Sequence, residues 1–169
     1  GTREVRVKVI NGNSEFTIIN YDGVNIIKED IIKSNFDLIV VDEASAYKNA
    51  QTQRWKTLKN IIGDNIWLWM LTGTPAAQSP VDAFGLAKLI NPDNIPKFFG
   101  QFRDSVMQKV SMFKWIPRPN SEITVHNALQ PAIRYKKNEC LDLPEVTYTY
   151  RNAPLTAQQK RYYEVLRTQ

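Results

Sequence analysis

The chain is poor in several things, and each scarcity excludes something. Among its 169 residues there is one cysteine, Cys140, so an intrachain disulfide is excluded. That favours a reducing, intracellular setting. With no histidine cluster or second thiol beside it, Cys140 reads as a small packed hydrophobe. His126 is the only histidine. No partner trio for catalysis is visible around it, so it reads as a structural or surface residue. The longest strongly apolar run, "IWLWML" over Ile66 to Leu71, falls far short of the ~20 residues that span a bilayer. The N-terminal "GTREVRVKV" carries charges where a signal peptide has its apolar core. It also starts with Gly rather than Met, as expected of a piece cut from a longer protein. No Gly-Lys dipeptide occurs anywhere, so the glycine-rich turn that cradles nucleotide phosphates is missing. There is no internal repeat and no low-complexity segment.

What remains is ordinary for a folded domain. The hydrophobic fraction is 43% and the charged fraction 23%, which argues against a wholly disordered chain. The length suits one domain with a real core. Lys and Arg outnumber Asp and Glu by 22 to 17, for a formal charge of +5. This mild excess is compatible with a polyanionic partner, although a solvated basic surface is the commoner meaning.

Hydrophobic periodicity sets out the elements. "EVRVKVI" (Glu4 to Ile10) alternates like a half-buried strand, and "FTIIN" (Phe16 to Asn20) reads as the next strand after the turn signal at Asn11 to Asn13. Val24, Ile27, Ile31 and Ile32 recur at helical spacing. "DLIVV" (Asp37 to Val41) is a β-branched run expected of a strand covered on both faces. Trp55, Leu58, Ile61 and Ile62 predict a helix with Gly63 at its C-cap, and Ile66 to Leu71 the next buried strand. Strand, helix, strand makes a βαβ unit with parallel strands and a right-handed crossover. Ser79, Pro80 and Asp82 look like a helix start, with the helix running to about Ile90. Phe99, Phe102, Val106 and Val110 predict another helix. Lys114 to Glu122 reads as a proline-rich loop. In it Trp115 reads as an anchor packed into the core, with base stacking as the alternative. Val125, Leu129 and Ile133 predict a helix that Pro131 kinks or stops early. Leu141 to Arg151 begins extended and reads as a strand. Thr156 and Gln159 form a capping box that opens a last helix.

Two short motifs carry chemistry. Asp42 and Glu43 stand where a parallel strand ends, the edge at which open α/β sheets bind ligands. An aspartate there can hold Mg²⁺ directly or through water, and a neighbouring glutamate can orient and deprotonate an attacking water. A pair of acids after an apolar run is also how many strands simply reach solvent. "LTGTP" (Leu71 to Pro75) follows the next strand and lies one βαβ unit away, at the same edge. Thr72 and Thr74 offer hydroxyls there, and Gly73 lets the backbone bend close to a neighbour. Alone it would be good turn chemistry. Two compact polar motifs at adjacent strand ends are harder to obtain by accident.

"VVDEASAYKN" followed by "WMLTGTPAAQSPVDAFGLAKLINP" resembles motifs II and III of the Swi/Snf family, helicase-like ATPases of superfamily two. Lys48 and Asn49 match the Lys-Asn that follows the acids, and Asn91 and Pro92 match the end of the helix after the threonine motif. Upstream, Tyr21 and Asp22 match a strand ending in Ser-Tyr-Asp or Ser-Tyr-Glu. Downstream, Arg134, Lys137, Glu139, Asp142, Leu143 and Pro144 match an Arg-Arg-x-Lys-x-Glu segment leading to Asp-Leu-Pro. The compact spacing resembles short viral or bacterial members. Three departures stand out. Ser45 replaces a common His, Tyr135 replaces the second arginine, and Gln78 stands where relatives often have Asn.

The resemblance implies an α/β fold: a partial RecA-like parallel sheet flanked by helices, with a helical extension in the second half. Residues 1–92 are expected to be the later part of the first RecA-like domain, and residues 93–169 the helical extension that closes it. The resemblance implies ATP and Mg²⁺ as cofactors, with Asp42 holding the metal through water and Glu43 activating water. Ser45, Thr72, Gly73 and Thr74 would couple nucleotide state to DNA. Lys48, Gln78, Arg134 and Lys136 are candidates for DNA contact, with a surface charge or structural hydrogen bond as the alternative for each. The phosphate loop and the second RecA-like domain are expected elsewhere in the parent protein, so this chain alone is expected to be inactive. DNA contact should be mainly to phosphates and independent of sequence. An open sheet edge predicts self-association of the chain. The rival readings are a binding module on a RecA-like shape without ATPase chemistry, and a metal-dependent nuclease built on Asp42 and Glu43. For the nuclease, Asp22 is the only further acid in view.

Overall fold

The computed structural model describes residues 2–12, 14–63, 66–140, 142 and 147–167. It comprises two compact units, residues 1–132 and 133–169. No helix among the described residues is long and apolar enough to cross a membrane.

The first unit opens with α1 (Arg3–Ile10), α2 (Tyr21–Ile26) and α3 (Lys28–Lys33), followed by β1 (Leu38–Val41), α4 (Gln53–Ile62) and β2 (Trp67–Met70). The expected βαβ unit is present. β1 and β2 pair in parallel, Leu38 opposite Trp67 through Val41 opposite Met70. Thr52 caps α4 by accepting from the Trp55 amide at 3.3 Å, and Gly63 ends it at φ +48° and ψ −134°, a positive-φ conformation that glycine adopts without strain. A 3₁₀ turn over Pro80–Asp82 leads into α5 (Ala83–Ile90), which is buried along most of its length. Next come α6 (Phe99–Val106), the antiparallel hairpin β3 (Met107–Lys109) and β4 (Trp115–Pro117), and α7 (Ser121–Ala128). One continuous core runs from Val41 through Tyr47, Leu58, Phe84, Leu86 and Phe102 to Leu129. It includes residues on both sides of Asp93, and the two compact units divide after Ala132. The second unit holds α8 (Lys137–Cys140) and α9 (Ala157–Arg167).

Several expectations need correction. Glu4 to Ile10 is a helix, not a strand. Its valines alternate, but no described strand lies beside them to complete a ladder, and a helix satisfies the backbone by itself. Val7 and Ile10 then pack with Ile27, Ile31 and Ile61, while Val5 and Val9 are left exposed. Phe16 to Asn20 forms no strand, and Asn20 serves as the cap of α2 by accepting from the Gly23 amide at 3.1 Å. The two sheet strands are not covered on both faces. Ile39, Val41, Leu68 and Met70 face the core, but Leu38, Val40, Trp67 and Trp69 lie on an exposed face. Val110 lies beyond α6, and part of the expected proline-rich loop forms β4. Three-residue strands are too short to show a period. Cys140 is exposed rather than packed. α7 stops ahead of Pro131, the early stop that proline predicts. The expected strand at Leu141 to Arg151 falls partly outside the described residues, including Leu143 and Pro144, and the described part forms none. The capping box is present: the Thr156 amide donates to Gln159 Oε1 at 3.0 Å, and the Gln159 amide to Thr156 Oγ1 at 3.3 Å.

Candidate active site

The site forms where the two parallel strands end side by side. The ladder continues past β1 and β2 through Leu71 N–H to Val41 O at 2.8 Å and Ala44 N–H to Leu71 O at 2.8 Å. These bonds draw the acid motif and the threonine motif to one edge. An open cleft of about 330 Å³ lies there, lined by Tyr21, Glu43, Ser45, Ala46, Lys48, Thr74, Pro75, Ala77, Gln78 and Asp82. Five of the sequence-predicted residues therefore converge: Glu43, Ser45, Lys48, Thr74 and Gln78. Asp42, Thr72 and Gly73 sit in the same two turns but do not line the cleft. Arg134 and Lys136 belong to the second unit, where Lys136 engages Glu139 through its amide (3.2 Å) and its Nζ (3.4 Å).

Glu43 adopts a left-handed backbone, φ +49° and ψ +51°, and starts a 3₁₀ turn over Ala44–Tyr47. A glutamate costs energy in that conformation, and such outliers cluster at functional sites. Asp42 Oδ1 accepts from the Glu43 amide at 3.0 Å, which folds the turn back on its own carboxylate. In the next motif the Thr74 amide donates to Thr72 Oγ1 at 3.3 Å. Lys48 is not a free cation. Its Nζ donates to Gln78 Oε1 at 3.1 Å and sits 3.6 Å from Asp82 Oδ2, which also accepts from the Gln78 amide at 3.2 Å. This network ties the turn after Glu43 to the segment after the threonine motif.

Two tyrosines and a glycine complete the site. The Tyr21 hydroxyl donates to the Asp42 carbonyl and lies 3.2 Å from the Glu43 carbonyl. Burial, then the Asp42 carboxylate, push its phenol above the ordinary range, so it stays a donor. Tyr47 ends that turn with its side chain buried, its ring 5.5 Å from that of Tyr21 in an edge contact. Gly85 on α5 brings its backbone against the same turn, with its amide donating to Lys48 O at 3.2 Å and its carbonyl accepting from Trp55 Nε1 at 2.8 Å. Sequence reading matched Tyr21 to a family position without a role, and passed over Asp82 as a site residue and Gly85 altogether. Asp82 carried a signal as an acid four residues after Gln78. Gly85 carried only its presence inside a helix, where glycine is unfavourable unless something packs close.

Trp115 is half-buried and covered by the Arg103 guanidinium at 4.1 Å from its ring, the anchor expected of it. His126 is exposed on α7 and pairs with Gln130 Nε2 at 3.1 Å.

Tyr47 gives the fold an alkaline limit. Burial, then the neighbouring Tyr21, push its phenol from 10.0 up to about 12. The folded chain therefore holds this proton more tightly than the unfolded chain does. The resulting stability is complete below pH 10.0 and is lost as pH rises towards about 12. Chemical denaturation followed across that window should show stability falling, and Tyr47→Phe should flatten the fall.

Comparison with known proteins is consistent in its direction. A family model described as SNF2-related domain matches residues 3–169. The chromatin-remodeling ATPase INO80 of Lodderomyces elongisporus is 30% identical over 142 residues, covering 81% of this chain and 9% of that protein. The chromodomain-helicase-DNA-binding protein 3 homolog of Caenorhabditis elegans is 27% identical over 99% of this chain and 9% of its own length. Drosophila melanogaster INO80 is 28% identical over 98% of this chain and 10% of its length. The chain thus spans about a tenth of these relatives. No solved structure matches it.

Proposed function

The chain belongs to the SNF2-related domain family, and on that premise we propose that it is the hydrolysis and coupling portion of a DNA-dependent, ATP-driven translocase. The observation that carries this reading is the cleft at the end of β1 and β2, which Glu43 and Thr74 both line. Glu43 orients and deprotonates the attacking water. The Asp42 carboxylate is exposed and has one oxygen engaged by the Glu43 amide, which leaves the other to reach a hydrated Mg²⁺. A single carboxylate suits Mg²⁺ when substrate phosphates and water complete its shell. No cluster of three or more metal-binding side chains is found among the described residues. Mg²⁺ would offset phosphate charge, and the residues of this chain would place the water. Thr72, Gly73, Thr74 and Ser45 pass the state of that site to DNA.

In this reading residues 1–92 supply the RecA-like edge and residues 93–169 a helical extension. Arg134 and Lys136 are phosphate contacts for DNA. Lys48 and Gln78 must first release Asp82 before either can reach DNA, so they belong to the coupling network as much as to the DNA surface. Remodelling of protein–DNA complexes is the setting that the names of the relatives suggest. Without a Gly-Lys phosphate loop, the 169 residues alone are inactive.

The test is Mg²⁺-dependent ATP hydrolysis by the full-length gene product, with and without DNA, beside its Glu43→Gln variant. DNA-stimulated turnover should fall by about 10²–10⁴-fold in the variant, the usual contribution of a general base. No turnover in the unmodified protein, with salt-sensitive DNA binding retained, would leave a binding module on an ATPase shape.

A further inference from the structure

We infer that Tyr21 is a positioning residue for Glu43, acting through the backbone of the Asp42–Glu43 turn. The inference rests on the reading of Glu43 as the base that activates water. Tyr21 is itself firmly placed. It is the first residue of α2, whose start Asn20 caps by accepting from the Gly23 amide. The Arg54 guanidinium lies 5.0 Å over its ring, and Arg54 Nη2 is 3.5 Å from Asp22 Oδ1. Tyr47 closes the other contact, edge to face at 5.5 Å. A ring gripped in this way delivers its hydroxyl to one spot.

That spot is the turn. The hydroxyl donates to Asp42 O and sits 3.2 Å from Glu43 O, so both carbonyls flanking the Glu43 amide-to-carbonyl unit converge on one donor. On the far side, Ala44 N–H is fixed to Leu71 O at 2.8 Å. Glu43 therefore hangs between two anchors, a phenol before it and a strand end after it. Its left-handed backbone persists only if the surroundings over-determine it. Remove the phenol oxygen and one anchor goes. The turn can then relax towards ordinary dihedrals, and relaxing it re-aims the glutamate carboxylate. Phenylalanine keeps the ring contacts with Arg54 and Tyr47, so the effect isolates one hydroxyl. A misplacement of about 1 Å at a reacting group is enough to slow chemistry strongly.

The experiment is a double-mutant cycle on the full-length gene product: unmodified, Tyr21→Phe, Glu43→Gln and both together. Tyr21→Phe should lower kcat about tenfold while KM for ATP stays within about twofold. In the Glu43→Gln background it should add nothing, because the residue it positions is gone. Hydrogen exchange on the same proteins should show the Ala44–Tyr47 amides opening about tenfold faster in Tyr21→Phe, with the β1–β2 ladder unchanged. A Tyr21→Phe protein with normal kcat, or one that loses rate equally with and without Glu43, overturns the inference while leaving Glu43 as the base. An unmodified protein without turnover, or a Glu43→Gln variant with full turnover, overturns the base assignment and this inference with it.

Discussion

Gly85→Ala should lower the melting temperature of the chain by about 10 °C, corresponding to a loss of about 2–4 kcal/mol. A Cβ built on Gly85 falls 2.3 Å from Lys48 O, 2.4 Å from Tyr47 O and 2.5 Å from Lys48 C. All three are backbone atoms and cannot swing aside, so α5 or the turn must retreat by about 1 Å to reach ordinary contact. Retreat breaks the Gly85 N–H bond to Lys48 and the Trp55 indole bond to Gly85, each worth about 1 kcal/mol. Alanine's better helix propensity returns only about 1 kcal/mol, so the clash wins. Gly100 is the control. It also lies on a helix, but its added Cβ meets nothing within 4 Å. Gly100→Ala should therefore be neutral or stabilise by up to about 1 kcal/mol. Calorimetry of the two variants decides the matter. Equal melting temperatures would mean that α5 does not press on the turn that follows Glu43.

The second expected result separates stability from chemistry at one residue. On the reading of Glu43 as the base, Glu43→Asn should lower turnover of the full-length protein by about 10²–10⁴-fold, because asparagine cannot accept the proton. The same change should make the chain more stable by about 0.5–1 kcal/mol, because asparagine tolerates the left-handed conformation that Glu43 holds at φ +49°. Glu43→Gln should lose turnover equally and gain no stability, since glutamine carries the same backbone cost. Denaturant unfolding of the three proteins gives the comparison. Asparagine no more stable than glutamine would show that the turn stores no strain.

The parts legible in sequence were those where local pattern and tertiary need agree. Asp37 to Val41, Trp55 to Ile62 and Ile66 to Leu71 are long enough for period and composition to speak, and they form β1, α4 and β2 in the expected order. The acids and the threonine motif were placed by topology alone, since parallel strands must end at one edge. Other parts depended on neighbours that no local window contains. Glu4 to Ile10 has the alternation of a strand, yet forms a helix where Ile27 and Ile31 offer a surface for Val7 and Ile10. The hairpin of β3 and β4 depends on pairing across a turn between three-residue strands. The grip of Tyr21 on Asp42 and Glu43 joins residues 21 and 22 positions apart, a distance over which no motif spacing gives direction. The pairing of Lys48 with Asp82 is similar. Nothing local to the lysine marks the acid that it pairs with.

The open face of the sheet has an optical consequence. Trp67 and Trp69 stand in solvent there, while Trp55 is tied by its indole to Gly85 and Trp115 is roofed by Arg103. The four indoles thus divide into two wet emitters and two sheltered ones. Whatever comes to lie over Leu38, Val40, Trp67 and Trp69 must strip water from the wet pair and shift their emission to shorter wavelength, while the sheltered pair holds its colour. The chain carries its own built-in gauge of that encounter, readable without a dye, and Trp67→Phe with Trp69→Phe would switch it off.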